Sequence, residues 1–204
     1  MNNERTVNAT GGTKSPASEK RLQGARHMSA ARLAKMAMLV AISIVLVAIV
    51  HFPLFPAVAF LEYDPADIPI LVGTFAFGPM AGLLLTVVTS VIQGLTVSAA
   101  TGGLYGVIMH IIATSTLVLV AGGIYKKEKS RKHALVGLGC GVAAMAVVMM
   151  IANLIITPLF MGVTVEAVWS LMPFIILFNV LKAGINGAVT FILYKRISPF
   201  LHRM

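Results

Sequence analysis

Apolar residues come along this chain in long continuous blocks, not in the half-apolar stripe of a helix on a water-soluble protein. The first block, about 33–50, starts beside Arg32 and Lys35, runs through Ala34, Ala37 and Ala41 into a Val/Ile/Leu tract, and stops at His51. There Phe52-Pro-Leu-Phe-Pro56 breaks the helix. The stretch from Ala57 to Asp67 holds aromatics, three acids and Pro65, and reads as an ordered loop with one helical turn. A short second block, about 68–78, has Asp67 and Pro69 at its start as a capping pattern. Gly78-Pro79 predicts a tight turn into a third block, about 80–96, and Thr101-Gly-Gly103 returns the chain to a fourth, about 104–125. A fifth block covers about 134–156, and a sixth about 172–194. Between those two, Thr157-Pro158 to Trp169 form a second loop. A bilayer core takes about 20 helical residues to cross, so the pattern predicts an all-α bundle of six membrane helices.

Composition sharpens this. Of 204 residues, 58% are hydrophobic and 11% charged, against about 45–50% and 25% in soluble domains. The mean hydropathy is +0.91. A net charge of +9 would suit a nucleic-acid partner, but the placement of the charges explains them better and leaves no nucleic acid in the reading. Fifteen of the sixteen Lys and Arg fall in three clusters: seven from Arg5 to Lys35, five from Lys126 to Lys132, and Lys195, Arg196 and Arg203 at the end. Cations in short loops stay on the cytoplasmic side, so all three clusters, and both termini, are placed inside and the number of spans is even. Glu62, Asp64, Asp67 and Glu166 then fall outside or at the outer boundary. The chain reads as a multi-pass protein of a prokaryotic-type cell membrane.

Residues 1–28 are rich in Asn, Thr, Gly, Ser, Lys and Ala and predict a disordered basic cytoplasmic tail, leaving 29–204 as the membrane domain. No early apolar core precedes a small-residue cleavage site, so the tail does not read as a signal peptide. Cys140 is the sole cysteine, which excludes an intrachain disulfide, and no Cys/His spacing marks a metal site. The chain has no G-x-x-x-x-G-K-[ST] phosphate loop, no H-E-x-x-H, no paired intramembrane carboxylates and no Ser with an evident His/Asp pair. Catalytic residues, a metal and a resident cofactor are therefore not assigned, and the chain is not read as an enzyme.

Lys182 is the one basic residue deep in a predicted span, where an ammonium costs several kcal/mol unless it meets a partner or a watery cavity. Asn179 lies three residues before it and Asn186 four after, so the three share one face of the sixth helix. No acid lies within the spans to neutralise Lys182, which makes a hydrogen-bond-accepting ligand the expected partner; bonds to neighbouring helices are the alternative. Asn153, ahead of Ile155-Ile-Thr-Pro158, offers another amide for a ligand or for interhelical bonding. Gln93 and His110 read as satisfied packing residues, Trp169 and Tyr63 as members of an aromatic belt, and the twelve Met as gap fillers. On the first span, Ala37 and Ala41 lie one turn apart, continuing Ala30 and Ala34, and flatten a helix face for a close partner.

With these residues in view, the sequence resembles the substrate-binding S components of energy-coupling factor (ECF) transporters, and among them the riboflavin-specific type. The resemblance covers about 33–201 and is carried by Phe60-Leu-Glu-Tyr-Asp-Pro-Ala-Asp-Ile-Pro69, Phe75-Ala-Phe-Gly-Pro-Met-Ala-Gly82, the Asn153 segment, Phe178-Asn-Val-Leu-Lys182 and Tyr194-Lys-Arg-Ile-Ser-Pro-Phe200. It implies capture of a vitamin from outside, in a pocket lidded by the first outer loop. It also implies docking on a transmembrane T component that carries two ATP-binding subunits. Asn153, Asn179 and Lys182 would contact the ligand, riboflavin or a related flavin, while Ala37 and Ala41 would meet the T component. Two segments depart from the riboflavin pattern: Thr89-Ser90 stands in place of a Lys-Asn pair, and Tyr105-Gly-Val-Ile-Met-His110 in place of a Gly-Glu-Leu-Ala-Asn-Phe-like start. A different vitamin, or a ligand-free membrane interaction or sensor subunit, stays open as the alternative.

Overall fold

The structure is a computed structural model that describes residues 16–97 and 103–202. The chain is mostly helical: α1 (Pro16–Ile49), a short hairpin of β1 (Phe52–Pro53) and β2 (Glu62–Tyr63), α2 (Asp67–Phe77), α3 (Pro79–Leu95), α4 (Gly103–Lys127), α5 (Arg131–Met161), α6 (Val165–Ser170) and α7 (Met172–His202). A helix occupies each of the six apolar blocks. Four of them are long and apolar enough to cross a membrane: Ala30–Ile49 within α1, α4, α5, and Met172–Tyr194 within α7; α2 and α3 are shorter.

Contacts divide the chain into two units, residues 1–35 and 36–204. In the first, α1 begins at Pro16, inside the segment expected to lack structure. The reason lies in residues 17–26, where Ala, Glu, Lys, Arg, Leu and Gln are good helix formers and Pro16 suits a first helical position. Residues 1–15 of the expected tail, and Thr101 and Gly102 of the expected turn, lie outside the described residues.

In the second unit, α4 packs on α3 and α5, α7 on α2 and α5, and α2 on α3. Small residues set the closest approach. A Cβ added at Gly137 would lie 2.8 Å from the Ala121 carbonyl oxygen, and one at Gly141 would lie 2.9 Å from Leu117. α5 therefore lies against α4 along a Gly-x-x-x-Gly face, the usual device where lipid supplies no hydrophobic drive between helices. Large apolar side chains such as Leu84, Leu119, Val147 and Ile192 stay exposed on the outside of the helices, as lipid contact requires. Gly78 joins α2 to α3 at φ 96°, a conformation open to glycine, and Pro79 opens α3.

Two boundaries differ from the sequence reading. α5 runs through Pro158 to Met161, because a proline removes a single N–H that a membrane helix can spare; the break comes at Gly162, φ 65°, whose N–H bonds the Pro158 carbonyl at 2.9 Å. Asp67 does not cap α2: the cap is Ala66, without a side-chain bond, and the Asp67 carboxylate is wholly buried among other helices.

The connection from α1 to α2 is ordered. β1 and β2 pair antiparallel, Phe52 opposite Tyr63, and a 3₁₀ turn spans Pro56–Val58. Val58 and Leu61 bury against Val168 of α6 and Met172, Ile175 and Phe178 of α7, so the connection is seated on the start of α7. The rings of Phe55 and Phe174, 6.1 Å apart, add to that seat.

Candidate functional site

A cavity, open at its mouth, lies where the connection meets α3, α4, α5 and α7. His51, Phe60, Glu62 and Asp64 of the connection form one side, Ser90 and Gln93 of α3 and Tyr105 and His110 of α4 the next. Met145 and Met149 of α5, with Phe178, Asn179 and Lys182 of α7, complete it. The walls are mainly apolar, with a few polar groups set among them.

Asp64 organises those groups. Its Oδ2 accepts from Lys182 Nζ at 2.8 Å and from Gln93 Nε2 at 3.5 Å, and its Oδ1 accepts from the Ala66 amide at 3.0 Å. The last is an Asx-type turn, which points the carboxylate back into the bundle just before α2 starts. Burial, the largest influence, pushes the Asp64 carboxyl up, but the Lys182 charge and hydrogen bond together with His110 hold it below the usual carboxylate value. Asn186 Nδ2 bonds both the Asp64 carbonyl, 3.0 Å, and Asp67 Oδ2, 3.1 Å, while its Oδ1 accepts from the Tyr63 hydroxyl at 3.0 Å. Burial first, then the nearby Asp64 charge, raises the Tyr63 hydroxyl above its ordinary value, so it stays a donor. Asp67 Oδ1 accepts from Thr114 at 2.6 Å and lies 3.4 Å from His110 Nε2. His110 Nδ1 and Ser90 Oγ are 2.7 Å apart.

Lys182 therefore has a protein partner, which corrects the expectation that no acid could reach it. Asp64 and Asp67 sit just outside and at the edge of the second block in sequence, and the fold carries them in to α7. A second correction follows from Ser90, His110 and Asp67, which do meet. The Ser90 hydroxyl also bonds the Thr86 carbonyl at 2.7 Å and the residue is 1% exposed, so the group is a braced polar wall and not an available nucleophile.

Of the residues singled out in sequence, Asn179 and Lys182 line the cavity together. Asn179 gives one N–H to the Ile175 carbonyl at 2.8 Å, which leaves its oxygen and second N–H. Asn153 stands apart from the lining: fully buried, it donates to the Met149 carbonyl at 2.8 Å and accepts from Thr157 at 2.9 Å. Thr157 in turn holds the hydroxyl of the cavity-lining Tyr105 at 2.8 Å, so Asn153 braces that ring from behind. Ala37 and Ala41 are exposed on α1. Trp169 is 59% exposed, while Tyr63 is turned to Asn186. Gln93 and His110, expected to be packing residues, reach the cavity. Their signal in sequence was weak: single polar residues in apolar helices, whose common face appears only once α3 and α4 are paired.

The sequence matches the family described as "ECF transporter, substrate-specific component" over residues 31–194. The chain belongs to this family. The S component is 31% identical to riboflavin transporter RibU of Staphylococcus aureus (strain TCH60), over 85% of this chain and 93% of that protein. It is 30% identical to riboflavin transporter FmnP of Bacillus subtilis (strain 168), over 63% of this chain and 67% of that one. A solved structure described as "Structure and mechanism of the S component of a bacterial ECF transporter" superposes with a TM-score of 0.73 at 30% identity, covering 85% of this chain and 99% of that chain. Family and apolar helices together make it a membrane protein belonging to a transporter family and not to an enzyme family.

Proposed function

We propose that this S component captures riboflavin, or a closely related flavin, in the cavity beneath the α1–α2 connection for uptake into the cell. The observation that carries the reading is the cavity itself: apolar and aromatic walls crossed by one line of donors and acceptors from Lys182 and Asn179 through Asp64 to Gln93. A flat heteroaromatic ring needs such walls, and its few carbonyl and N–H groups need such a line. Lys182 and Asn179 offer donors to ring carbonyls or hydroxyls, and Asn153 acts through Tyr105. The names of the relatives, riboflavin transporters over most of their length, support the same ligand.

The rest of the reading follows from the family and the charge pattern. The six helices cross the membrane, with α2 and α3 as its two short crossings. Both termini lie in the cytoplasm, and the connection faces outward as the lid through which the ligand arrives. Energy comes from partners, a transmembrane T component with two ATP-binding subunits, which dock on the Ala37–Ala41 face of α1. The flavin is cargo, and no resident cofactor takes part.

Purified alone in mild detergent, the protein is expected to quench riboflavin fluorescence in a saturable titration at one flavin per chain. FMN and unrelated vitamins such as thiamine and biotin serve as competitors. No quenching by flavins, with calorimetric binding of another vitamin, overturns the ligand and keeps the family. That outcome would give weight to Ser90 and His110, which stand where the riboflavin pattern has other residues.

A further inference from the structure

Among the described residues, four buried side-chain polar atoms have no hydrogen-bond partner: Thr89 Oγ1, Gln93 Oε1, His110 Nε2 and Ser115 Oγ. Two of these residues, Gln93 and His110, line the cavity. His110 Nε2 faces the Asp67 carboxylate at 3.4 Å, so a protein charge accounts for it. Gln93 Oε1 has no such counterpart, although the residue is only 8% exposed.

The orientation of that amide is settled by its neighbour. An ionised carboxylate only accepts, so the Gln93 edge facing Asp64 Oδ2 at 3.5 Å is the NH₂ group and the oxygen is the free end. Asp64 cannot turn away to release it, because Lys182 holds the same oxygen at 2.8 Å and the Ala66 amide holds the other. Gln93 of α3 thus lines the cavity with its NH₂ end turned to Asp64 and its buried oxygen unengaged. Buried acceptors are left unpaired only at a cost, and a ligand donor removes it.

We propose that Gln93 is a specificity-determining residue of the site: its Oε1 accepts a hydrogen bond from an N–H or O–H donor on the bound ligand. Molecules that put a carbonyl or an anion at this point meet the Gln93 lone pairs with the Asp64 carboxylate behind them, and are rejected. This rests on the flavin reading of the cavity. A flavin has two kinds of donor that could serve, the imide N–H of the ring and the hydroxyls of the ribityl chain.

The test uses Gln93→Met in the full chain, which keeps an unbranched side chain of similar length and removes the amide. Affinities of wild type and variant are measured for riboflavin, N3-methylriboflavin, which lacks the imide N–H, and lumiflavin, which lacks the ribityl hydroxyls. Q93M is expected to weaken riboflavin about ten- to thirtyfold, the loss of one buried hydrogen bond. For the analogue without the relevant donor, wild type and variant should bind alike: N3-methylriboflavin if the ring N–H is used, lumiflavin if a hydroxyl is. The ligand-free melting temperature of Q93M should be unchanged or higher, since the substitution removes an orphan acceptor. Wild-type affinity of Q93M for riboflavin, or an equal loss for all three flavins, overturns the proposal. If wild type binds none of the three, it is the flavin reading that has failed, and the proposal falls with it.

Discussion

Lys182 and Asp64 place two opposite charges in a site almost closed to water, the side chains 9% and 4% exposed, and each holds the other there at 2.8 Å. Breaking such a pair from one side leaves the other charge buried alone, which typically costs about 3–5 kcal/mol. Lys182→Met is therefore expected to lower stability as well as flavin affinity. The double variant with Asp64→Asn, which removes both charges and keeps an acceptor for the Ala66 amide, should regain most of the stability but not the affinity. Thermal melts of the single and double variants in detergent, with and without riboflavin, measure both; equal melting points for wild type and K182M would mean the pair holds nothing. The pH dependence has a definite sign. Asp64 is held below its ordinary value near 3.8, so its contribution is complete above that value and is lost as the pH falls through the lower folded-state value. Stability from this group should be flat from pH 7 to 5 and decline only in stronger acid. The sequence pointed to half of this site. The Asn179–Lys182–Asn186 stripe was readable because helical spacing puts residues three and four apart on one face. The partners were not, since Asp64 reaches Lys182 from 118 positions away in the chain and Gln93 joins them through Asp64, a closure that no local pattern encodes.

At the scale of elements, the most extensive joint is between α4 and α5. Gly137 and Gly141 of α5 face Ala121 and Leu117 of α4, whereas Gly139, two residues along the same helix, has nothing within 4 Å of an added Cβ. Gly137→Ala would press a methyl against the Ala121 carbonyl, where the neighbour is backbone and cannot yield by rotating. A destabilisation of about 1–3 kcal/mol is expected, as for other overpacked contacts. Gly139→Ala should be neutral or stabilising by up to about 1 kcal/mol, since alanine favours the helix and meets no one. Unfolding of the two variants under the same detergent conditions compares them, and equal effects would mean that the α4–α5 contact is not set by Gly137. The helices themselves were legible because each is a continuous apolar block bounded by Gly, Pro or charge. The departures came where a local rule competes with packing. Pro158 reads as a breaker but sits in a helix that continues, and Asp67 reads as a cap but is drawn inward by Thr114 and Asn186.

At the scale of the molecule, the proposed docking face and the cavity lie on different sides of α1. On α1, Met36, Ser43 and Val47 are buried, and Ser43 Oγ bonds the Ala66 carbonyl at 3.1 Å, which ties that face of the helix to the site side. At about 100° per residue, Ala37 and Ala41 lie roughly 100–140° round the helix from Met36, and both are exposed. A small flat face turned away from the cavity can hold a partner helix at close range without touching the ligand. Enlarging Ala37 or Ala41 to Leu or Trp adds volume where a close helix contact has no room. The purified variants should therefore bind riboflavin with wild-type affinity and melt at the wild-type temperature. They should nevertheless co-purify poorly with the T component and its ATP-binding subunits, and fail to support riboflavin uptake in cells that depend on it. Loss of flavin binding by the isolated variants would instead tie this face to the cavity. Variants that assemble and transport like wild type would reduce Ala37 and Ala41 to the composition of an alanine-rich membrane helix, and the docking face would then have to lie on another helix.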